Sequence, residues 1–371
     1  MDSRIIKLSN TLVKHSIRLK PGEKVYVDYK GSGADDLIQQ LIRTIYEEGG
    51  FPFLHCVNNK FLREILMNCN EEQIKLMSNS ALSEMKQMDC YIGISSSENS
   101  ADLSDVPSDN MKLFRKLYDT PVHFQERVNN TKWVILRYPN PSFAQSANMS
   151  TTAFEDFYFN VCTMDYPKLS KAMEPLVNLM KSTDKVHIIG PGTDLIFSIK
   201  DINVVPCFGL RNIPDGEVYT APIKNSINGF VTYNTPSVYD GFTFENIHFE
   251  FKDGKIVKAT SNNTESLNKI LNIDDGARYI GEFSLGVNPF VTLPMKDTLF
   301  DEKISVSFHL TPGNCYETAP NGNTSSIHWD LVCIQTKEFG GGSIYFDNTL
   351  IRKDGIFVHP ELLGLNPENY K

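Results

Sequence analysis

Residues 24–57 read KVYVDYKGSGADDLIQQLIRTIYEEGGFPFLHCV, and their periodicity decides the fold of the first half of the chain. KVYVDY alternates as a strand, with Val25 and Val27 on one face. After the Gly31-Ser32-Gly33 turn, Ala34, Leu37, Ile38, Leu41, Ile42 and Ile45 recur at spacings of three and four, one face of a helix. Gly49 and Gly50 stop that helix, and FPFLHCV returns as a strand. Strand, helix and strand within this span predict a βαβ unit. Working outward, DCYIGIS (89–95) and WVILRYP (133–139) add two candidate buried strands, so a largely parallel sheet is expected. A helix is expected over 168–181, with Pro175 kinking or breaking it. VHIIGPGTDLIFSI (186–199) reads as two strands around a Gly-Pro-Gly turn.

Beyond Cys207 the texture changes to strand-like runs, including a hairpin signal at Asp253-Gly254 between IHFEFK and KIVKAT. Only 265–271 reads as helical there. The predicted organisation is an α/β domain over 1–205 and a β-rich α+β domain over 206–371. At 371 residues, with 41% apolar and 22% charged side chains, the chain has the length and composition for about two folded domains.

The net charge of -9, with no Lys/Arg block, argues against a nucleic-acid partner. No stretch approaches the ~18 apolar residues of a membrane-spanning helix. The N-terminus lacks the uninterrupted apolar run of a secretory signal. Seven cysteines, none in C-x-x-C spacing, suggest free thiols in a reducing cytoplasm. Gly31-Ser32-Gly33 lacks both the third glycine of a dinucleotide loop and the lysine of a phosphate loop, and the clusters at 190–192 and 340–342 lie between strands, at 190–192 with no helix N-terminus to receive an anion.

Chemistry concentrates in the second half. In KISVSFHL (303–310), Ile304, Val306, Phe308 and Leu310 share one face, which leaves His309 on the other among Ser305 and Ser307. Read as a strand, SSIHWDLV (325–332) puts His328 and Asp330 on one side, ~7 Å apart at Cβ, where both can reach one ion. Glu282 in RYIGEFSLG sits in an apolar run flanked by glycines, and Glu217 in PDGEVYTAP enters a strand after a turn. A carboxylate buried there needs a cation or several donors. Imidazole plus carboxylate, without thiolate, suits zinc, cobalt or manganese, and an abundance of carboxylate suits a hydrolytic pair of ions. Taken alone, His309 reads more readily as a solvated or hydrogen-bonded residue and either glutamate as a salt-bridged or edge residue, while His328 and Asp330 read equally as a surface pair.

The runs PDGEVYTAP, GFTFENIHFEFKDGKIV, GARYIGEFSLGVNP, LFDEKISVSFHL, SSIHWDLV and GGGSIYFDNTLIRKDGIF resemble the M29 aminopeptidases. YPNPSFAQSANMS followed by FEDFYFN extends the resemblance into the first half. It implies metal ligands at Glu217, Glu282, His309, His328 and Asp330, with Glu302 a possible further ligand. It also implies an active-site tyrosine at Tyr316, two divalent ions bridged by a carboxylate such as Glu282, and a homodimer acting on peptides. The chain departs from the family at Ser305-Val306-Ser307-Phe308 and in a short His309–His328 interval, which bears on substrate preference more than on metal binding. Two alternatives stand beside a metallo-aminopeptidase: an Fe(II)-dependent pyridine-diol ring-cleaving dioxygenase, similar in sequence, and a binding protein that has lost turnover.

Overall fold

The computed structural model describes residues 2–99 and 101–370. They form two compact units, one of residues up to 164 plus 209–213, the other of residues 165–208 and 214 onward. This division lies upstream of the 205/206 boundary expected from the sequence texture. Residues 166–198 have the helix-then-strand look of the first half, but their two strands pair with strands of the second half.

The first unit is built on a five-stranded parallel sheet. Its order is Phe51–Val57, Lys24–Gly31, Cys90–Ser96, Lys132–Arg137 and Asn212–Ile213. The βαβ unit is present as expected, its crossover helix being Asp35–Glu47. Leu37, Ile38, Leu41 and Ile45 of that helix are buried, as the spacing requires. Val25 through Tyr29 are buried on both faces, which a parallel sheet covered by helices demands.

The second unit opens with the helix Tyr166–Ser182, which runs continuously through Pro175. Two large antiparallel sheets follow, beside a two-stranded one of Ser237–Tyr239 and Phe242–Phe244. The larger has eight strands, with Lys185–Gly190 and Thr193–Ser198 at its centre and the Asp253-Gly254 hairpin at one edge. The smaller has five, in the order Leu331–Ile334, Ser307–Pro312, Ile280–Gly286, Glu217–Thr220 and Val205–Cys207.

Alternation gives the smaller sheet two unlike faces. Val218, Phe283, Leu285, Phe308 and Leu310 are buried on one, and Phe283 meets Phe197 of the larger sheet edge-to-face at 5.0 Å. The other face carries the polar residues. Gly281 and Gly286 admit neighbouring backbone: a Cβ would stand 2.3 Å from the Asn314 carbonyl oxygen at Gly281, and 2.1 Å from that of Ile304 at Gly286. Arg352, wholly buried, donates from the larger sheet to the carbonyl oxygens of Ser307 (2.7 Å), Gly286 (3.0 Å) and Ser305 (3.2 Å). No helix among the described residues is long and apolar enough to cross a membrane. All seven cysteines are unpaired.

A candidate metal centre on the polar sheet face

Register assembles the centre. Ser284 lies opposite both His309 and Tyr219, Glu282 opposite Thr311, and Gly286 opposite Glu217. Residues opposite one another in an antiparallel pair point to the same face, so Glu217, Glu282 and His309 converge from three strands. His328 and Asp330 arrive differently from the expectation. Residues 325–330 are not a regular strand: the strand begins at Leu331, and His328 is tied in by an isolated bridge to Gly313. The two side chains nevertheless meet, His328 Nε2 lying 3.4 Å from Asp330 Oδ1.

Two donor groups result, Glu217–Glu282–His309 and Glu282–His328–Asp330, each with its ligand atoms within 4.8 Å of one another. Glu282 belongs to both. Its Oε1 lies 3.2 Å from His309 Nε2, and its Oε2 3.3 Å from His328 Nε2. Glu217 Oε2 is 3.5 Å from His309 Nε2. Donors ~2.1 Å from a tetrahedral ion stand roughly 3.4 Å apart, so these spacings match those of a coordination shell.

Hydrogen bonding tests the same fit. His328 Nδ1 donates to the Asn314 carbonyl oxygen at 2.8 Å, which leaves the Nε2 lone pair facing Glu282 and Asp330. That Nε2 is buried with no aligned hydrogen-bond partner among the described residues. The electrostatics show a deficit of positive charge. Burial disfavours charge on His309, yet the Glu282 and Glu217 carboxylates win and raise it to about 9. His328 is raised against burial by Asp330 and Glu282, while Asp330, despite its burial, is held low by His328. The residues fit a divalent cation.

Glu302 does not join either group. It is buried, which raises its carboxyl well above the usual range, and Lys303 Nζ lies 2.6 Å from its Oε1. Tyr316 stands over the centre, its ring 4.5 Å from that of His328 and 5.6 Å from that of Tyr219. Sequence reasoning missed four participants. Thr311 donates to Asp330 Oδ1 at 2.5 Å, and Ser284 to Glu217 Oε2 at 3.0 Å. Asp215 and Lys303 form the third and fourth. The buried Lys303 ammonium lies 2.5 Å from Glu217 Oε1 and 3.5 Å from Asp215 Oδ1. A third donor group, Cys207–Asp215–Glu217, therefore already faces a cation, and burial keeps the Cys207 thiol protonated. Strand parity could have flagged Ser284 and Thr311. A lysine beside a strand and an aspartate in a Pro-Asp-Gly turn carry no such signal.

The sequence profile described as Thermophilic metalloprotease (M29) matches residues 1–357. Aminopeptidase 2 of Geobacillus stearothermophilus is 22% identical over 353 residues, 85% of each chain. AmpT from Thermus thermophilus superposes with a TM-score of 0.83 at 20% identity, over 96% of this chain and 99% of its own. The 2,5-dihydroxypyridine dioxygenase of Pseudomonas putida shares the fold more distantly, with a TM-score of 0.60 at 12% identity over 97% and 98%. With a shared carboxylate between two histidines and a family match over nearly its whole length, the chain belongs to the M29 family of thermophilic metalloproteases.

Proposed function

We propose that the chain is a two-metal aminopeptidase that removes N-terminal residues from peptides. The observation that carries this reading is Glu282, which turns one oxygen to each of two histidines and so can bridge two ions. Glu217 and His309 complete one position, and His328 and Asp330 the other; zinc, cobalt and manganese all suit these donors. Bound there, a divalent ion supplies Lewis acidity and water of lowered pKa.

The chain's own residues do the rest. Glu302 lies outside both donor groups; burial raises its carboxyl in the metal-free protein, bound cations would bring it back to the ionised form, and so ionised it would take up the proton of the attacking water and pass it to the leaving amine. Tyr316 donates its hydroxyl to the oxyanion that develops on the scissile carbonyl. Bound metal would also supply a Lewis acid for a substrate's free α-amine, which favours exopeptidase action. The same reading takes the working form as a cytoplasmic homodimer. The dioxygenase alternative has only a shared fold in its support.

The test is hydrolysis of aminoacyl reporter substrates before and after chelation. Stripping the metal abolishes turnover, Zn(II), Co(II) or Mn(II) restores it, and an N-acetylated substrate is not cleaved. Turnover by protein shown to be metal-free by elemental analysis overturns the proposal, as does oxygen consumption with a dihydroxypyridine.

A further inference from the structure

The two donor groups share Glu282 but are otherwise unequally built. In the Glu282–His328–Asp330 group both outer ligands are oriented by a neighbour. His328 is held by the Asn314 carbonyl at 2.8 Å, and Asp330 by the Thr311 hydroxyl at 2.5 Å. Such outer contacts fix ligand direction before an ion arrives, and so lower the ordering cost of binding. In the Glu217–Glu282–His309 group the imidazole has no such anchor: His309 Nδ1 is buried without a hydrogen-bond partner among the described residues.

Lys303 adds a second, independent asymmetry. Its ammonium is wholly buried and engages Glu217 Oε1 at 2.5 Å, Glu302 Oε1 at 2.6 Å and Asp215 Oδ1 at 3.5 Å. One oxygen of Glu217 is thereby committed to a cation already in the protein. Only Oε2 remains for a metal, and it also accepts from Ser284. A fixed positive charge on the very carboxylate that must hold a dication opposes that dication, with little water to screen it.

Charge balance explains why the chain keeps such a residue. With both ions bound and Glu302 ionised beside them, Asp215, Glu217, Glu282, Glu302 and Asp330 would supply five negative charges, and two divalent ions and Lys303 five positive ones. If the ion beside Glu217 leaves, Lys303 still pairs Asp215, Glu217 and Glu302, which would otherwise be an uncompensated buried cluster. The lysine therefore lets the centre lose one ion without losing its structure.

We infer that the two positions differ in affinity, in a way set by Lys303. The Glu282–His328–Asp330 position fills first and retains its ion, whereas Lys303 keeps the Glu217–Glu282–His309 position weak and exchangeable. This rests on the two-metal reading and adds to it: activity would follow free metal concentration through the weak position alone. Lys303 is a positioning residue that acts through Glu217.

The experiment titrates metal-stripped full-length protein with Co(II), followed by visible absorption and calorimetry. The wild type shows two resolved steps, of which Asp330→Asn removes the tight one and His309→Ala the weak one. Lys303→Met tightens the weak step by roughly 10- to 100-fold, the scale of outer-shell effects on metal affinity, and leaves the tight step in place. It also slows chelator-driven release of the second ion. Lys303→Arg keeps the charge and does not tighten the step. A wild type that takes one ion while Lys303→Met takes two is the same result at its limit. Two equal steps in the wild type overturn the inference, as does a second step unchanged or weakened in Lys303→Met, or one ion in both proteins. If Lys303→Met does not fold, the order of filling in the wild type and the two ligand variants still decides. Protein that binds no Co(II) refutes the metal reading itself, a distinct outcome.

Discussion

Replacing Tyr316 with phenylalanine deletes one hydroxyl and leaves the ring in place. The ring contacts, 4.5 Å to His328 and 5.6 Å to Tyr219, do not involve the hydroxyl, so fold and metal content should be unchanged. Partial desolvation, with the Glu282 and Asp330 carboxylates nearby, holds the phenol well above its usual range. It is therefore a protonated donor throughout the neutral range, suited to a developing oxyanion. Loss of one such donor costs about 100- to 1000-fold in kcat, or ~2.7–4 kcal/mol. Tyr316 is 46% exposed, so water partly replaces its hydroxyl and the lower end, about 100-fold, is expected. KM should stay within about threefold, because the bond strengthens only at the transition state. The assay is steady-state hydrolysis of an aminoacyl p-nitroanilide by wild type and Tyr316→Phe, with metal content matched by elemental analysis. A kcat within about threefold of wild type, or a loss confined to KM, refutes the oxyanion role.

Arg352→Met removes three bonds to backbone carbonyls while relieving the burial of a charge, and should destabilise the protein by about 2–3 kcal/mol in urea denaturation. A change below about 0.5 kcal/mol would show that the guanidinium does not hold the Ser305–Ser307 approach to His309. In the first unit, burial, aided by the charges of Lys30 and Arg127 and opposed by Asp28, pushes His123 down to about 4. The unfolded imidazole takes a proton near ~6.5, so this contribution to stability is present above that pH and is lost as pH falls toward 4. The loss is bounded at about 3 kcal/mol, and a His123→Gln protein should show a correspondingly shallower acid slope; equal slopes in the two proteins would dispose of the assignment.

Periodicity carried much of the local geometry. Apolar spacing in 24–57 specified strand, helix and strand, and the structure has all three. Alternation in 307–310 put His309 opposite Phe308 and Leu310, because successive side chains of a strand leave on opposite faces whatever the strand pairs with. What the tertiary structure alone decided is which strands lie side by side. Glu217, Glu282 and His309 are far apart in the chain and meet only through the register of three paired strands. The convergence of His328 and Asp330 was expected from strand parity, yet it is achieved by an irregular lead-in pinned to Gly313. Lys303 shows the limit most clearly. Beside the start of a strand a lysine reads as a solvated charge, and only packing encloses it among Asp215, Glu217 and Glu302. Periodicity belongs to each segment alone, whereas the neighbours that give a buried charge its meaning come from strand pairing across the fold.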